Sequence, residues 1–388
     1  MSKTLFSLPR LHRAAHGEER KVTWLELFYD LVYVAVLIQL GNVLSEQISL
    51  EGFGRFVILF LPLWWAWTGM TFYMNRFVVN DLPHRLLIYL QITAIAVLGI
   101  SLEGAFTGLT QQFSLAYAAI RLVQVLLYVR TWKHEPATRP LTQRYVTGYL
   151  VGIALWVVAG FLPMPYAAGL WLLALAIEIG NAFLPGTRAL VSLLPPDAEH
   201  MRERYGIFII IVLGESFIKT ITNASGTAIS LEILVFSLLA IFVVFGLWWL
   251  YFDDVEAAEI KHRLFAPYVW IYAHLPLSLG ITAFGVASKK IFASAGEDHL
   301  KSGYVVLYCG ALILFALASA ALELALEQEH ERKKDWRRAG WRLGMAAAMA
   351  GLMLFGASLG ALGFIAVVAA IVLVVVALDE WPHIQEPR

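Results

Sequence analysis

Glu26 and Asp30 stand four residues apart in WLELFYDLVYVAVLIQL, residues 24 to 40, a run otherwise apolar enough to begin a membrane span. In a helix, positions i and i+4 share a face, so the two carboxylates can act together. Both fall within two turns of the expected helix start, where the backbone dipole favours negative charge, and Glu26 has a simple reading as a first-turn carboxylate. Asp30 is deeper and precedes a nearly unbroken apolar run. A charge there costs up to about 3 kcal/mol on insertion scales, so it should face a partner or a polar cavity. The stretch IIIVLGESFIKTI places Glu215 and Lys219 one turn apart near mid-span. They form either an ion pair that lowers the insertion cost or a proton-carrying pair, in which neutralising one member changes what the other must do. Arg121, Glu178 and His274 are further ionisable residues within apolar runs. His274 precedes Pro276, which can kink a helix and free a carbonyl. The histidine could relay protons beside an acid, or serve as a hydrogen-bonded packing residue. Asp253 and Asp254 close another run, as a solvated helix end or as partners of Arg263 or Arg85.

Runs of about 20 apolar residues are needed to carry these charges across a bilayer as helices. Twelve are expected, near residues 24 to 45, 52 to 74, 84 to 103, 112 to 132, 145 to 162, 164 to 184, 205 to 224, 229 to 252, 264 to 288, 302 to 325, 340 to 356 and 359 to 378. Short loops rich in Lys and Arg stay cytoplasmic. With the N-terminus inside, 23 of the 29 basic residues fall on the inner side and 4 on the outer, which predicts an even number of spans and two cytoplasmic ends. The fold class expected is therefore an all-α integral membrane protein.

The chain also reads as a duplication. WWAWTGMTFYMNRFVVNDLPHRLLIYL and LWWLYFDDVEAAEIKHRLFAPYVWIY each carry a Trp pair, Trp64-Trp65 or Trp248-Trp249, then an acidic loop, then His-Arg-Leu at His84 or His262. Upstream, ELFYDLVYVAVL at Glu26 aligns with ERYGIFIIIVLG at Glu203. These matches lie six spans apart on the same side, so two parallel six-helix repeats are expected, as in some transporters, with chance likeness of Trp-rich segments as the alternative. The boundaries predicted are a tail over 1 to 23, repeats over 24 to 190 and 200 to 378, and a second tail over 379 to 388.

Composition agrees with a lipid-embedded body: 388 residues, 59% hydrophobic, mean hydropathy +0.69 and 15% charged, against about 25% charged in soluble proteins. Formal net charge is zero, so no basic excess points to nucleic acid. The lone Cys309 sits in an apolar run, which excludes an intrachain disulfide and argues for a buried thiol. Residues 1 to 23 are polar and basic, without the apolar core of a cleavable signal, and the first span is expected to direct insertion. GASLGALG, with Gly356, Gly360 and Gly363, has helix-packing spacing rather than the setting of a nucleotide loop. The charged stretch EQEHERKKDWRR, from Glu327, reads as a solvated cytoplasmic loop. The sequence contains no HExxH, GxSxG, P-loop or zinc spacing, so neither an enzyme nor a resident metal or cofactor is expected.

Together, TWLELFYDLVYVAVLIQL, ERYGIFIIIVLGES and WWLYFDD resemble the bacterial low temperature requirement protein A (LtrA) family, with a span pattern that fits about residues 20 to 380. The resemblance implies a multi-pass bacterial inner-membrane protein named for a growth phenotype in the cold, and supplies neither substrate nor reaction. By position the family pattern maps to Glu26, Phe28, Asp30, Glu203, Arg204, Gly214, Glu215, Trp248, Trp249 and Asp253, with Tyr29 and Tyr33 standing where phenylalanines are the rule. The leading expectation is a secondary transporter of a small solute or ion, with proton coupling, that rocks two halves about a site between them. Asp30 and Glu215 would carry the proton or cation, and Lys219 and Arg121 would be their countercharges. Glu26, Glu203, His274 and Asp253 would complete the site, with Trp64, Trp65, Trp248 and Trp249 as cavity walls. A membrane sensor or assembly factor linked to cold growth, and an ion channel, remain the alternatives. The expected partners are the bilayer and a small solute or ion, and nothing in the sequence specifies an oligomeric state.

Overall fold

The computed structural model describes residues 5–12, 20–224, 230–257, 259–261, 265–327 and 332–385. The side chains of Asp254, His262 and Arg263, and most of the charged stretch from Glu327, lie outside what is described. Thirteen α-helices occur among these residues: α1 (Trp24–Glu46), α2 (Leu50–Arg76), α3 (Leu82–Ile100), α4 (Thr110–His134), α5 (Arg139–Ala159), α6 (Tyr166–Phe183), α7 (Pro185–Leu193), α8 (Ala198–Ala224), α9 (Leu231–Ala257), α10 (Ala266–Ala293), α11 (Ser302–Ala325), α12 (Arg332–Phe355) and α13 (Gly360–Gln385). Helices answer the demand that lipid places on a chain, because every backbone polar group must be satisfied within the segment.

Nine stretches among the described residues are long and apolar enough to cross a membrane, and one of them, Trp336–Trp381, contains most of both α12 and α13. Helices α5 and α8 lie outside this set. Charges crowd their opening turns, Arg139 and Arg144 in α5 and Glu199, Arg202, Glu203 and Arg204 in α8. The short α7 was not anticipated by the apolar pattern. Faces that carry exposed Leu86, Leu90 and Val97 on α3 suit contact with lipid.

The chain divides into two compact units, Met1–Val43 with Arg55–Arg204, and Leu44–Gly54 with Tyr205–Arg388. In the first, α3, α4, α5 and α6 pack in chain order around an aromatic core, where Trp156 stacks on Trp171 at 5.6 Å and Phe113 tilts against Trp171 at 4.9 Å. In the second, α10, α11 and α12 pack consecutively and α13 lies against α9. Gly356 allows the break between α12 and α13, since a Cβ there would meet the Phe364 ring at 3.0 Å. Gly360 follows with φ +64, a conformation strained for any L side chain.

Two short antiparallel pairs close the ends of helices. Strand β1 (Arg10–Leu11) pairs with β2 (Phe77–Val78), and β3 (Glu259–Ile260) pairs with β4 (Leu326–Glu327). The first pair shows that part of the N-terminal tail is laid onto its unit. The Ser7 N–H donates to Asp81 Oδ2 (3.1 Å), and Arg130 Nη2 donates to the Ser7 carbonyl (2.8 Å). Asp81 is also the N-cap of α3, accepting from the His84 N–H at 3.1 Å, and it takes both arms of Arg130 at 3.0 and 2.5 Å. Burial pushes this carboxyl up, but Arg130 and the Ser7 and His84 amides outweigh that and hold it below the usual range.

A depressed folded-state pKa gives stability that is present above the ordinary carboxylate value and is lost as pH falls through the folded one. Asp81→Asn is therefore expected to lower the melting temperature at neutral pH and to flatten the wild-type decline below about pH 4. Melting curves across that range check this. An acid limb unchanged by the substitution would show that Asp81 contributes no linkage.

Candidate functional site

The Asp30 carboxylate is held inside the first unit. Thr23-x-x-Glu26 opens α1 as a capping box: Thr23 N and Oγ1 donate to Glu26 Oε2, both at 2.8 Å, and the Glu26 N–H returns a bond to Thr23 Oγ1 at 3.3 Å. One turn on, Asp30 is fully buried and accepts from Trp67 Nε1 of α2 at 2.7 Å. The facing helix is α8, whose His200 and Arg204 are also four residues apart. Arg204 is fully buried and bridges the acidic pair, with Nη2 at 2.6 Å from Asp30 Oδ1 and Nη1 at 3.2 Å from Glu26 Oε1. Arg20 approaches Glu26 at 3.8 Å and donates to the carbonyls of Met74 and Asn75.

Asn75 orients the His200 ring. Asn75 Nδ2 donates to the Asp197 carbonyl (2.8 Å) and Oδ1 accepts the Asp197 N–H (2.9 Å), which orients the amide. Its Nδ2 also lies 3.3 Å from His200 Nδ1, so Nδ1 accepts and Nε2 carries the hydrogen that faces Glu26 Oε1 at 3.4 Å. Around it the Glu26 and Asp30 carboxylates meet the guanidinium groups of Arg204 and Arg20.

A second buried pair lies elsewhere in the same unit. Arg121 of α4 and Glu178 of α6 meet at 2.7 Å with neither side chain exposed. Arg121 is also held by Tyr117 OH (3.0 Å) and Gln124 Oε1 (2.7 Å), and lies over the Tyr149 ring at 4.9 Å. Glu178 accepts from Trp65 Nε1 at 3.0 Å. Glycines make room for the pair, since a Cβ on Gly152 would fall 2.3 Å from Glu178 Oε1, and one on Gly69 would fall 3.0 Å from Arg121 Nη1.

In the second unit Glu215 and Lys219 form the expected i,i+4 pair, at 2.8 Å and with little exposure. His274 donates from Nδ1 to the Trp270 carbonyl (2.7 Å), so Nε2 is the acceptor for Tyr251 OH at 2.9 Å. That arrangement is a satisfied packing histidine, with no acid at either nitrogen among the described residues. Arg342 of α12 pairs with Asp379 of α13, donates to the Leu250 carbonyl at 3.2 Å and lies 3.8 Å from Glu323.

The remaining predicted positions fall in different places. Glu203 is exposed and accepts from the Val22 N–H at 3.3 Å, while its neighbour Arg204 points inward. Asp253 is exposed at the end of α9. Trp64 and Trp65 are buried, Trp248 is 37% exposed, and Trp249 donates to Glu380 at 3.0 Å. A groove of about 760 Å³ in the first unit, lined by α5 and α6 residues such as Thr147, Gly148 and Asn181, includes none of these four tryptophans. Asp30 meets Arg204 and Arg121 meets Glu178, so the carboxylate expected to use Arg121 as countercharge has another partner. Sequence reasoning named Arg204 only as a position of the family pattern and not in the expected site, and it missed His200 and Arg342. The signal for the first two was present, because an i,i+4 basic pair on α8 mirrors the i,i+4 acidic pair on α1.

An uncharacterized protein of Rhizobium meliloti is 30% identical over 303 residues, covering 74% of this chain and 71% of the relative. Residues 21–378 match the family described as Bacterial low temperature requirement A protein (LtrA), a span that holds Glu26, Asp30, Arg121, Glu178, Arg204, Glu215 and Arg342. This multi-pass helical membrane protein belongs to the LtrA family.

Proposed function

We propose that the protein is a non-enzymatic secondary transporter of the bacterial inner membrane that moves a small solute or ion with proton coupling. The observation that carries this reading is the buried set of Glu26, Asp30, Arg204 and Arg20 beside His200. Ionisable groups inside a membrane bundle are expensive and typically mark substrate or proton paths. Asp30 is the proton or cation carrier of the scheme and Arg204 its countercharge. Glu215 with Lys219 forms a second switchable pair. Twelve spans, cytoplasmic termini and two parallel six-helix repeats complete the reading. The repeat is supported by a matched contact: Trp65 of α2 donates to Glu178 of α6, and Trp249 of α9 donates to Glu380 of α13, each at 3.0 Å. In both cases the second tryptophan of a pair on the second span meets a glutamate on the sixth.

Proteoliposomes loaded with a pH-sensitive dye test this reading against a panel of amino acids, sugars and inorganic ions. Solute-dependent proton movement is expected in the wild type, cut at least about tenfold by Asp30→Asn. Equal flux in wild type, Asp30→Asn and Glu215→Gln would remove the assigned carriers. A wild type that moves no protons with any solute in the panel would overturn the transporter reading and favour a sensor or assembly role.

A further inference from the structure

The groove of about 760 Å³ in the first unit changes character along its length. Helices α5 and α6 pair in antiparallel register beside it: Asn181 Nδ2 donates to the Arg144 carbonyl at 3.0 Å, and one helical span further on Gly152 lies against Glu178. One end of the groove therefore carries Gln143, Arg144 and Asn181, and the other carries Val151, Ala176 and Ile177. Arg144 and Val151 are separated by about 10 Å along α5, at 1.5 Å per residue. Gly148 and Gly180 contribute no side chain between the two ends and keep the middle open. The short α7 packs against both α5 and α6 and adds Leu190 to the lining. Its Gly186 lets the Arg144 guanidinium approach, since a Cβ there would fall 3.3 Å from Nη2.

Arg144 is the only charged residue of the lining, so its positive charge meets no carboxylate inside the groove. The acid of α6 nearest by sequence, Glu178, is buried against Arg121 at 2.7 Å. The apolar end opens sideways. Val151, Ala176 and Gly180 are exposed, and only 28% of the apolar stretch of α6 is buried. An exposed apolar wall on a membrane-spanning helix faces acyl chains, while a cation near the helix end lies at the level of the headgroups. Basic pockets between helices at that level hold anionic head groups. A cation, then amides, then an aliphatic wall is the order of chemistry along a phospholipid standing in its leaflet.

We propose that the groove between α5, α6 and α7 binds one anionic phospholipid, with the phosphate on the Arg144 guanidinium and the upper part of an acyl chain along Val151, Ala176 and Ile177. In the orientation of the transport reading this lipid belongs to the cytoplasmic leaflet, and the site itself does not need transport.

The test uses the full-length protein, purified in an uncharged detergent and washed free of lipid, and follows thermal melting in mixed micelles with phosphatidylglycerol or phosphatidylcholine of the same acyl chains. Phosphatidylglycerol is expected to raise the melting temperature in a saturable manner, at an apparent affinity at least about tenfold above that of phosphatidylcholine. Arg144→Gln should remove that preference, and Ala176→Trp, which fills the apolar half, should weaken phosphatidylglycerol by about tenfold. Both positions are exposed, so neither change enters the core. Equal responses to the two lipids in the wild type, or no saturable rise with either, would overturn the site. A preference retained in Arg144→Gln, or unchanged affinity in Ala176→Trp, would overturn it by assigning binding elsewhere. The same rise with soluble glycerol 3-phosphate would overturn the lipid as occupant and leave an anion site. Flux is not read, so failure of transport and failure of this site are separate outcomes.

Discussion

Arg204→Met is expected to cost about 3–5 kcal/mol of stability, the range found when one member of a buried ion pair is removed. The substitution leaves Asp30 with only the Trp67 indole at Oδ1, and Glu26 with Arg20 at 3.8 Å and the His200 ring at 3.4 Å. Arg204→Lys should fall between the two, because one ammonium cannot reproduce a planar fork that reaches two carboxylates 2.6 and 3.2 Å away. Adding Asp30→Asn to Arg204→Met should recover part of the loss, since the uncompensated charge is then gone. Denaturation of the purified variants, with membrane accumulation as a second readout, measures all three. If Arg204→Met melts with the wild type, the buried cluster is not what holds α1 and α8 to each other within the first unit.

Glu178→Leu should have an effect of similar size, about 3–5 kcal/mol, because Arg121 would be left as an unpaired cation with no exposure and Trp65 would lose its acceptor. The double variant Arg121→Met with Glu178→Leu is expected to be milder than either single change, as two apolar side chains of comparable volume replace a pair whose desolvation cost disappears. Gly152→Ala probes the same pair without touching it. Its Cβ would fall 2.3 Å from Glu178 Oε1, so the carboxylate must shift, at about 1–3 kcal/mol. A double variant as unstable as the sum of the two single changes would show that Arg121 and Glu178 do not act as a unit.

Single positions show how differently burial could be read from the chain. Asp30 was readable because one carboxylate among apolar residues carries a cost that composition exposes. Glu215 and Lys219 were readable because helical spacing alone brings them together, and they meet at 2.8 Å. Glu203 and Arg204 were harder. Neighbours in a helix point about 100° apart, so one of two adjacent charges turns inward, and only the docking of α8 on α1 selects Arg204. The same ambiguity hid Arg342, which lies beside a basic run yet is fully buried against Asp379. His274 had two readings, and a tyrosine hydroxyl on one nitrogen with a carbonyl on the other selects packing.

By itself, the sequence determined that this chain is helical, membrane-embedded and of the LtrA family, and that it carries charges inside apolar segments. Those properties follow from local composition and spacing, which lipid reads residue by residue. Tertiary structure alone decided which charges meet, that Asp30 faces Arg204 and Arg121 faces Glu178, that residues 5–12 are tied down through Asp81 and Arg130, and that Arg76 is buried. Ion pairing is a contact at about 3 Å between segments far apart in sequence, set by how helices rotate and pack, and no local pattern encodes that rotation.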